Sequence, residues 1–425
     1  MQNNKQKNEI TMIRESDLTL EVVILLIFGA FMSIFGLLLF RINTGELPYN
    51  PDSMYGLFLV LISIQIITLG KTPLADLRRS WALITIGIGS AIFGMVACFI
   101  PGILTEFVRI LAGIILLIGG ISLLLQLFLL EDKGKLWMKT PGVLRQLTII
   151  CALIYIITAI LGVITLFPGI TTNPVTAILL IIYGISFFYL SWCIQKATRL
   201  YLSESESGAL DKTTSKGFSI FQEVSLPLST TMLITMAVLI TVLALLLFPV
   251  FLGLLPFSPD GQLGLLLVLM AIRIMALGDT PMGQFKRSWL MVVFGLIFAA
   301  LGIVSSIVPG ILTGIITILL GILNIVGGSV LLIQILLPIL SGIRNPPAEP
   351  VVVPTILKKL LIIQIILNLV TIAFGLSMLL PGLIPGMLVA VILFINGLIL
   401  FVLAFMLEKV NQIEMSVEQS GEAPA

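Results

Sequence analysis

The sequence predicts an all-α polytopic membrane protein of about twelve transmembrane helices, laid out as two parallel six-helix repeats, each of three helical hairpins. Three observations predict it: a composition with no polar coat, a long internal duplication, and apolar stretches whose connections alternate in charge. Hydrophobic residues make up 58% of the 425 and charged residues only 10%, with a mean hydropathy of +1.19. A soluble domain carries about 25% charged residues, so the lipid bilayer is the expected solvent and partner.

The duplication sets the layout. LGKTPLADLRRSW, from Leu69 to Trp81, recurs as LGDTPMGQFKRSW, from Leu277 to Trp289. Pro51-Asp52 matches Pro259-Asp260, Pro101-Gly102 matches Pro309-Gly310, and Gly119-Gly120 matches Gly327-Gly328, all at an offset of 208. Further on the offset becomes 213, with Gly162, Pro168, Gly169 and Gly184 matching Gly375, Pro381, Gly382 and Gly397.

A spanning helix needs about 20 mainly apolar residues. Such segments fall at 19–40, 54–70, 81–100, 103–130, 144–167, 174–195, 230–252, 262–278, 289–308, 311–339, 355–380 and 386–407. The chain therefore divides into a tail (1–18), a first membrane unit (19–195), a linker (196–229), a second unit (230–408) and a second tail (409–425). The linker, containing SESESGALDKTTSKG, is polar. The first tail is too polar for a secretory leader.

Pro101-Gly102, Pro168-Gly169, Pro309-Gly310 and Pro381-Gly382 each mark a hairpin tip. Proline pre-sets the second turn position and glycine accepts positive φ at the third. The alternate connections are longer and basic. Of 23 Lys and Arg residues, only Arg41 and Arg109 fall on the Pro-Gly side, with Arg273 inside a segment. The positive-inside rule places both termini in the cytoplasm of a multi-pass cell-membrane protein. Trp81, Trp137, Trp192 and Trp289 all fall at the basic ends, as an interfacial belt requires. An even number of helices per unit relates the two units by an axis along the membrane normal.

Enzyme chemistry finds no foothold. Histidine is absent, which removes Ser-His and Cys-His pairs and histidine metal ligands. Cys98, Cys151 and Cys193 have no metal or redox spacing and read as packing residues. No basic patch is interleaved with aromatics, so no nucleic-acid partner is expected. No cofactor and no metal are expected either.

The unit of Arg79-Ser80-Trp81, Gly94, Pro101-Gly102 and Gly119-Gly120, repeated as Arg287-Ser288-Trp289, Gly302, Pro309-Gly310 and Gly327-Gly328, resembles the HdeD-like short-repeat membrane family. The resemblance covers most of the chain as two fused six-helix units. It implies a hairpin-built membrane protein linked to acid resistance and supplies no catalytic residues.

Several residues stand out within this frame. In the doubled motif, Thr72-Pro73 and Thr280-Pro281 fit a threonine N-cap with proline at the first helical position. Arg79 and Arg287, just before Trp81 and Trp289, suit interface anchoring. The motif reads either as an anchored turn or as a gate. In the second sense Gly70, Asp76, Arg78 and Arg79 resemble a motif of major facilitator transporters, although Gln284 replaces Asp76 in the second copy. Arg273, whose repeat counterpart is Gln65, lies in a membrane segment, where an uncompensated charge costs at least about 2.5 kcal/mol. It either snorkels to headgroups or faces a site between the halves. Glu106 and Arg109 are spaced for a local ion pair. Tyr155, Tyr183, Asn324, Gln364, Asn368 and Asn396 either bridge helices or line a pathway. Gly113 with Gly120, and Gly321 with Gly328, read as packing seams. The leading expectation is a non-enzymatic HdeD-like protein in membrane stress or acid tolerance, with a dry core. The alternative is a transporter or channel using Arg273 and Gln65.

Overall fold

A computed structural model describes residues 18–68, 81–130, 142–201, 228–276, 289–344 and 355–420. Among them are twelve α-helices and no strand. They are α1 (Leu20–Asn43), α2 (Pro51–Thr68), α3 (Trp81–Phe99), α4 (Thr105–Leu125), α5 (Val143–Leu166), α6 (Asn173–Tyr201), α7 (Leu228–Phe251), α8 (Pro259–Ala276), α9 (Trp289–Ile307), α10 (Thr313–Arg344), α11 (Thr355–Leu379) and α12 (Gly386–Ser420). A π turn, Gln126–Leu130, continues α4. Ten helices are long and apolar enough to cross a membrane. The other two, α2 and α8, are repeat counterparts of 18 residues each. At 1.5 Å per residue each measures about 27 Å, close to the hydrocarbon thickness. α12 runs on to Ser420, because EKVNQIEMSVEQ is rich in helix formers.

Helices form here because lipid leaves the backbone no other partner. Buried hydroxyls follow the same rule and bond within their own helix. Ser63 Oγ donates to the Leu59 carbonyl (2.5 Å), Ser191 Oγ to Phe187 (2.8 Å) and Thr235 Oγ1 to Thr231 (2.9 Å).

The chain separates into two compact units. One comprises Met1–Val224 with Ser258–Thr313, the other Ser225–Phe257 with Gly314–Ala425. The first thus holds α1 to α6, α8, α9 and Thr313, the first residue of α10, and the second holds α7, the rest of α10, α11 and α12. The sequence divisions at 19–195 and 230–408 follow the duplication, whereas these units follow packing.

Within the first unit the close pairs are antiparallel and meet at glycine. A Cβ on Gly56 of α2 would stand 2.5 Å from the Gly94 carbonyl oxygen of α3. A Cβ on Gly264 of α8 would stand equally close, at 2.5 Å, to the Gly302 carbonyl oxygen of α9. Gly120 of α4 lies against Tyr155 and Ala159 of α5, and Gly162 of α5 against Leu117. The pair α1 and α6 is closed by Gly29, Gly36 and Gly184, and by the Asn173 amide donating to Asn43 Oδ1 (3.0 Å). The tight partners therefore sit across the basic connections, or join first helix to sixth, rather than flanking the Pro-Gly tips. Rings fill the space between α1, α2 and α6. Phe31 stacks on Phe58 at 5.7 Å, and Phe28 meets Phe187 edge-on at 4.9 Å.

In the second unit Gly397 of α12 lies against Thr241 of α7, and Gly386 against Phe251. Gly321 and Gly328 of α10 face Leu379 and Ile372 of α11, while Gly375 returns against Gly321. These are the α1–α6 and α4–α5 contacts again, at the offsets of 208 and 213. The seams expected at Gly113, Gly120, Gly321 and Gly328 are thus packing seams in the fold.

Gly56→Ala and Gly264→Ala should each destabilise the protein by about 1–3 kcal/mol, the usual effect of overpacking. Gly89→Ala, where a Cβ meets nothing within 4 Å, should leave the melting temperature in detergent unchanged or higher. Equal effects at Gly56 and Gly89 would contradict the packing described.

Candidate functional site

The polar residues gather where α2 and α8 begin. Asn50-Pro51-Asp52-Ser53 opens α2, and Ser258-Pro259-Asp260-Gly261 opens α8. Asn50 caps α2: its Oδ1 accepts from the Ser53 N–H (3.2 Å). Ser258 caps α8, its Oγ accepting from the Gly261 N–H (3.4 Å). Proline suits the first helical position because its missing N–H has no partner there anyway. An aspartate beside it lies at the positive end of the helix dipole.

Both aspartates are buried, Asp52 at 8% exposure and Asp260 at 9%. Asp52 accepts a hydrogen bond from the Gly102 N–H (2.9 Å) and another from the Thr105 hydroxyl. Asp260 accepts from the Thr313 hydroxyl. Thr105 and Thr313 are the first residues of α4 and α10. Gly102 and Gly310 take φ of +83° and +85°, so the Pro-Gly turns form as expected. Each aspartate ties the start of one helix to the start of another.

The two starts also bond to each other's hairpin. The Asn50 N–H donates to the Ile307 carbonyl (3.0 Å), and the Ser258 N–H donates to the Phe99 carbonyl (2.9 Å). These bonds are mates at the offset of 208. Asn50 Nδ2 donates to Ser53 Oγ (2.8 Å) and reaches its own counterpart, Ser258 Oγ, at 3.4 Å. Equivalent groups meeting each other mark a local two-fold axis, the signature of an isologous contact. Beside it, desolvation lifts the Tyr49 phenol above its ordinary pKa, and Tyr55 and Asp52 push it the same way. It stays a neutral group at physiological pH.

Arg109 builds a second polar cluster at the same end. It pairs with Glu106 (2.6 Å) and donates through Nη1 to the Thr165 carbonyl (2.6 Å) and the Leu166 carbonyl (3.3 Å). The expected ion pair forms and also caps the last turn of α5, whose carbonyls have no intrahelical partner.

Of the residues singled out in the sequence, Arg273 lies exposed in the last turn of α8 and Gln65 half-buried in α2. Trp81 and Trp289 open α3 and α9, 51% and 40% exposed, as interface residues would be. Thr72, Pro73, Arg79, Thr280, Pro281 and Arg287 lie outside the described residues. Tyr183 bridges α6 to Thr158 of α5 (2.6 Å), while Asn324 bonds within α10 to the Leu320 carbonyl (2.7 Å). Cys98, Cys151 and Cys193 are buried thiols. No group of three His, Cys, Asp or Glu residues able to hold a metal occurs among the described residues.

Sequence reasoning passed over Asn50 and Ser258. The signal was there: a capping residue before Pro-Asp, twice, each Asp 53 residues ahead of a Thr after a Pro-Gly tip. The arrangement joins two neutral hydroxyls to two carboxylates. Each carboxylate holds the hydroxyl of another helix start, so the arrangement acts as a clamp.

Comparison with protein-family models, curated proteins and solved structures finds no match for this chain. The fold alone defines it as a multi-pass integral membrane protein.

Thr105→Val and Thr313→Val should each lower stability by about 1 kcal/mol, the worth of one hydrogen bond. Asp52→Ala should cost more, about 1–3 kcal/mol, because it strands both the Gly102 N–H and the Thr105 hydroxyl. Thermal unfolding in detergent measures both. A Thr105→Val protein that melts later than Asp52→Ala but earlier than the parent fits the clamp.

Proposed function

We propose that this chain is a non-enzymatic membrane protein of the HdeD-like type, serving tolerance of acid or membrane stress. The Lys and Arg distribution supports a cell-membrane location with both termini in the cytoplasm and the Pro-Gly tips outside. The observation that carries the reading is the largely apolar interior of the first unit. Its largest fully buried side chains are Phe28, Phe31, Phe99, Phe187 and aliphatic residues. Where α2–α3 meet α8–α9, the hairpins of the two sequence halves, the polar contacts lie at the Pro-Gly end. Cells lacking the protein should survive an acid challenge less well than cells making it, with equal growth at neutral pH. Equal survival in acid would sink the proposal.

The second reading is a transporter or channel, and the observation favouring it is a guanidinium at position 273 in the largely apolar helix α8. Exposure of Arg273 close to the end of α8 fits a snorkelling side chain equally well. If Arg273 carries substrate or ions, Arg273→Leu abolishes flux into proteoliposomes while folded protein persists. Unchanged flux assigns the residue to anchoring.

A further inference from the structure

We propose that the α2–α3 hairpin is built to accept the α8–α9 hairpin and to refuse a copy of itself. Residues 50, 53, 258 and 261 carry the discrimination.

The argument starts from the local two-fold. An interface whose backbone bonds are mates, Asn50 to Ile307 and Ser258 to Phe99, is by geometry open to self-pairing: two identical hairpins would satisfy the same bonds. What differs is the side chains nearest the axis. Across it, Asn50 faces its own counterpart Ser258, a larger amide against a small hydroxyl, and the two bond at 3.4 Å. One turn on, Ser53 faces its counterpart Gly261. A Cβ on Gly261 would stand 2.3 Å from Ser53 Oγ and 2.2 Å from the Cys98 carbonyl oxygen. Real Cβ atoms do not approach that closely, and the Cys98 carbonyl belongs to a helix backbone that cannot swing aside.

At both positions large meets small, with the larger residue on the first hairpin. Pairing the first hairpin with itself would set Ser53 against Ser53 in space that holds only one side chain, and Asn50 against Asn50. Pairing the second with itself would set Gly261 against Gly261 and Ser258 against Ser258, leaving a gap at both levels. Specificity comes from making the wrong partner clash as well as making the right one fit. The steric limit at Gly261 carries the discrimination, and Asn50, bonded to both Ser53 and Ser258, sets the level beside it.

Exchange substitutions in the full chain test it. Gly261→Ser alone should lower the melting temperature and the yield of monodisperse protein in detergent, and Ser53→Gly alone should lower the melting temperature less. The exchanged protein, Ser53→Gly with Gly261→Ser, restores large against small with the sides reversed. It should recover the part of the Gly261→Ser loss that Ser53 Oγ causes, while the Cβ at 261 still meets the Cys98 carbonyl. Asn50→Ser with Ser258→Asn should likewise be more stable than Ser258→Asn alone. If Gly261→Ser fails to fold, the comparison of Asn50→Ser with Ser258→Asn against Ser258→Asn alone decides the question. The proposal is overturned if Gly261→Ser melts with the parent, or if the exchanged protein is no better than Gly261→Ser alone.

Discussion

Two apolar helices in lipid gain little by touching, because hydrocarbon tails are as apolar as leucine. What holds such helices together is close approach of backbone to backbone, and that requires positions without a side chain. Gly56 with Gly94, Gly264 with Gly302, Gly29 with Gly184, and Gly321 with Gly375 supply those positions. The rest of the architecture follows from where they fall. Each lies on antiparallel helices, so each fixes the register of a pair as well as its spacing. The aromatic cluster of Phe28, Phe31, Phe58 and Phe187 then fills what the pairs leave between them.

Pairs alone do not make a unit, and the polar groups at the Pro-Gly end supply the links between pairs. Asp52 joins α2 to the turn before α4, and the mated backbone bonds of Asn50 and Ser258 join the α2–α3 pair to the α8–α9 pair. Buried polar groups must find partners in a medium without water. Placing them at the helix ends lets the caps, which need donors and acceptors in any case, serve as the joints. The interior between the ends can then remain apolar.

Much of this was legible in the sequence. The helical segments follow from hydropathy, and the turns at Gly102, Gly169, Gly310 and Gly382 follow from Pro-Gly, all four glycines having positive φ. The seams at Gly113 and Gly120 follow from small residues spaced on one helix face. The pairing itself did not follow. Chain order suggests partners on either side of each Pro-Gly tip, yet α1 closes on α6 and α2 on α3. Nor did chain order place α8 and α9 in the unit formed by α1 to α6. Apolar faces are interchangeable to a hydropathy reading, and only the positions of glycine distinguish them. The joints at Asn50 and Ser258 were missed because one cap and one acid look like any helix start. Only their recurrence at the repeat offset sets them apart.

The Arg109 cluster exists in one copy of the repeat and has no equivalent in the other, where Gly314 and Thr317 stand in place of Glu106 and Arg109. In the α4–α5 pair a single guanidinium braces the last carbonyls of one helix against the first turn of its neighbour. The α10–α11 pair shares the glycine seam but carries no cation at that end. The two helix pairs share a glycine register but differ in the charge they carry at their tips. The duplicated pairs have thus diverged in the charge carried at their Pro-Gly end while keeping the glycine seam that closes each of them.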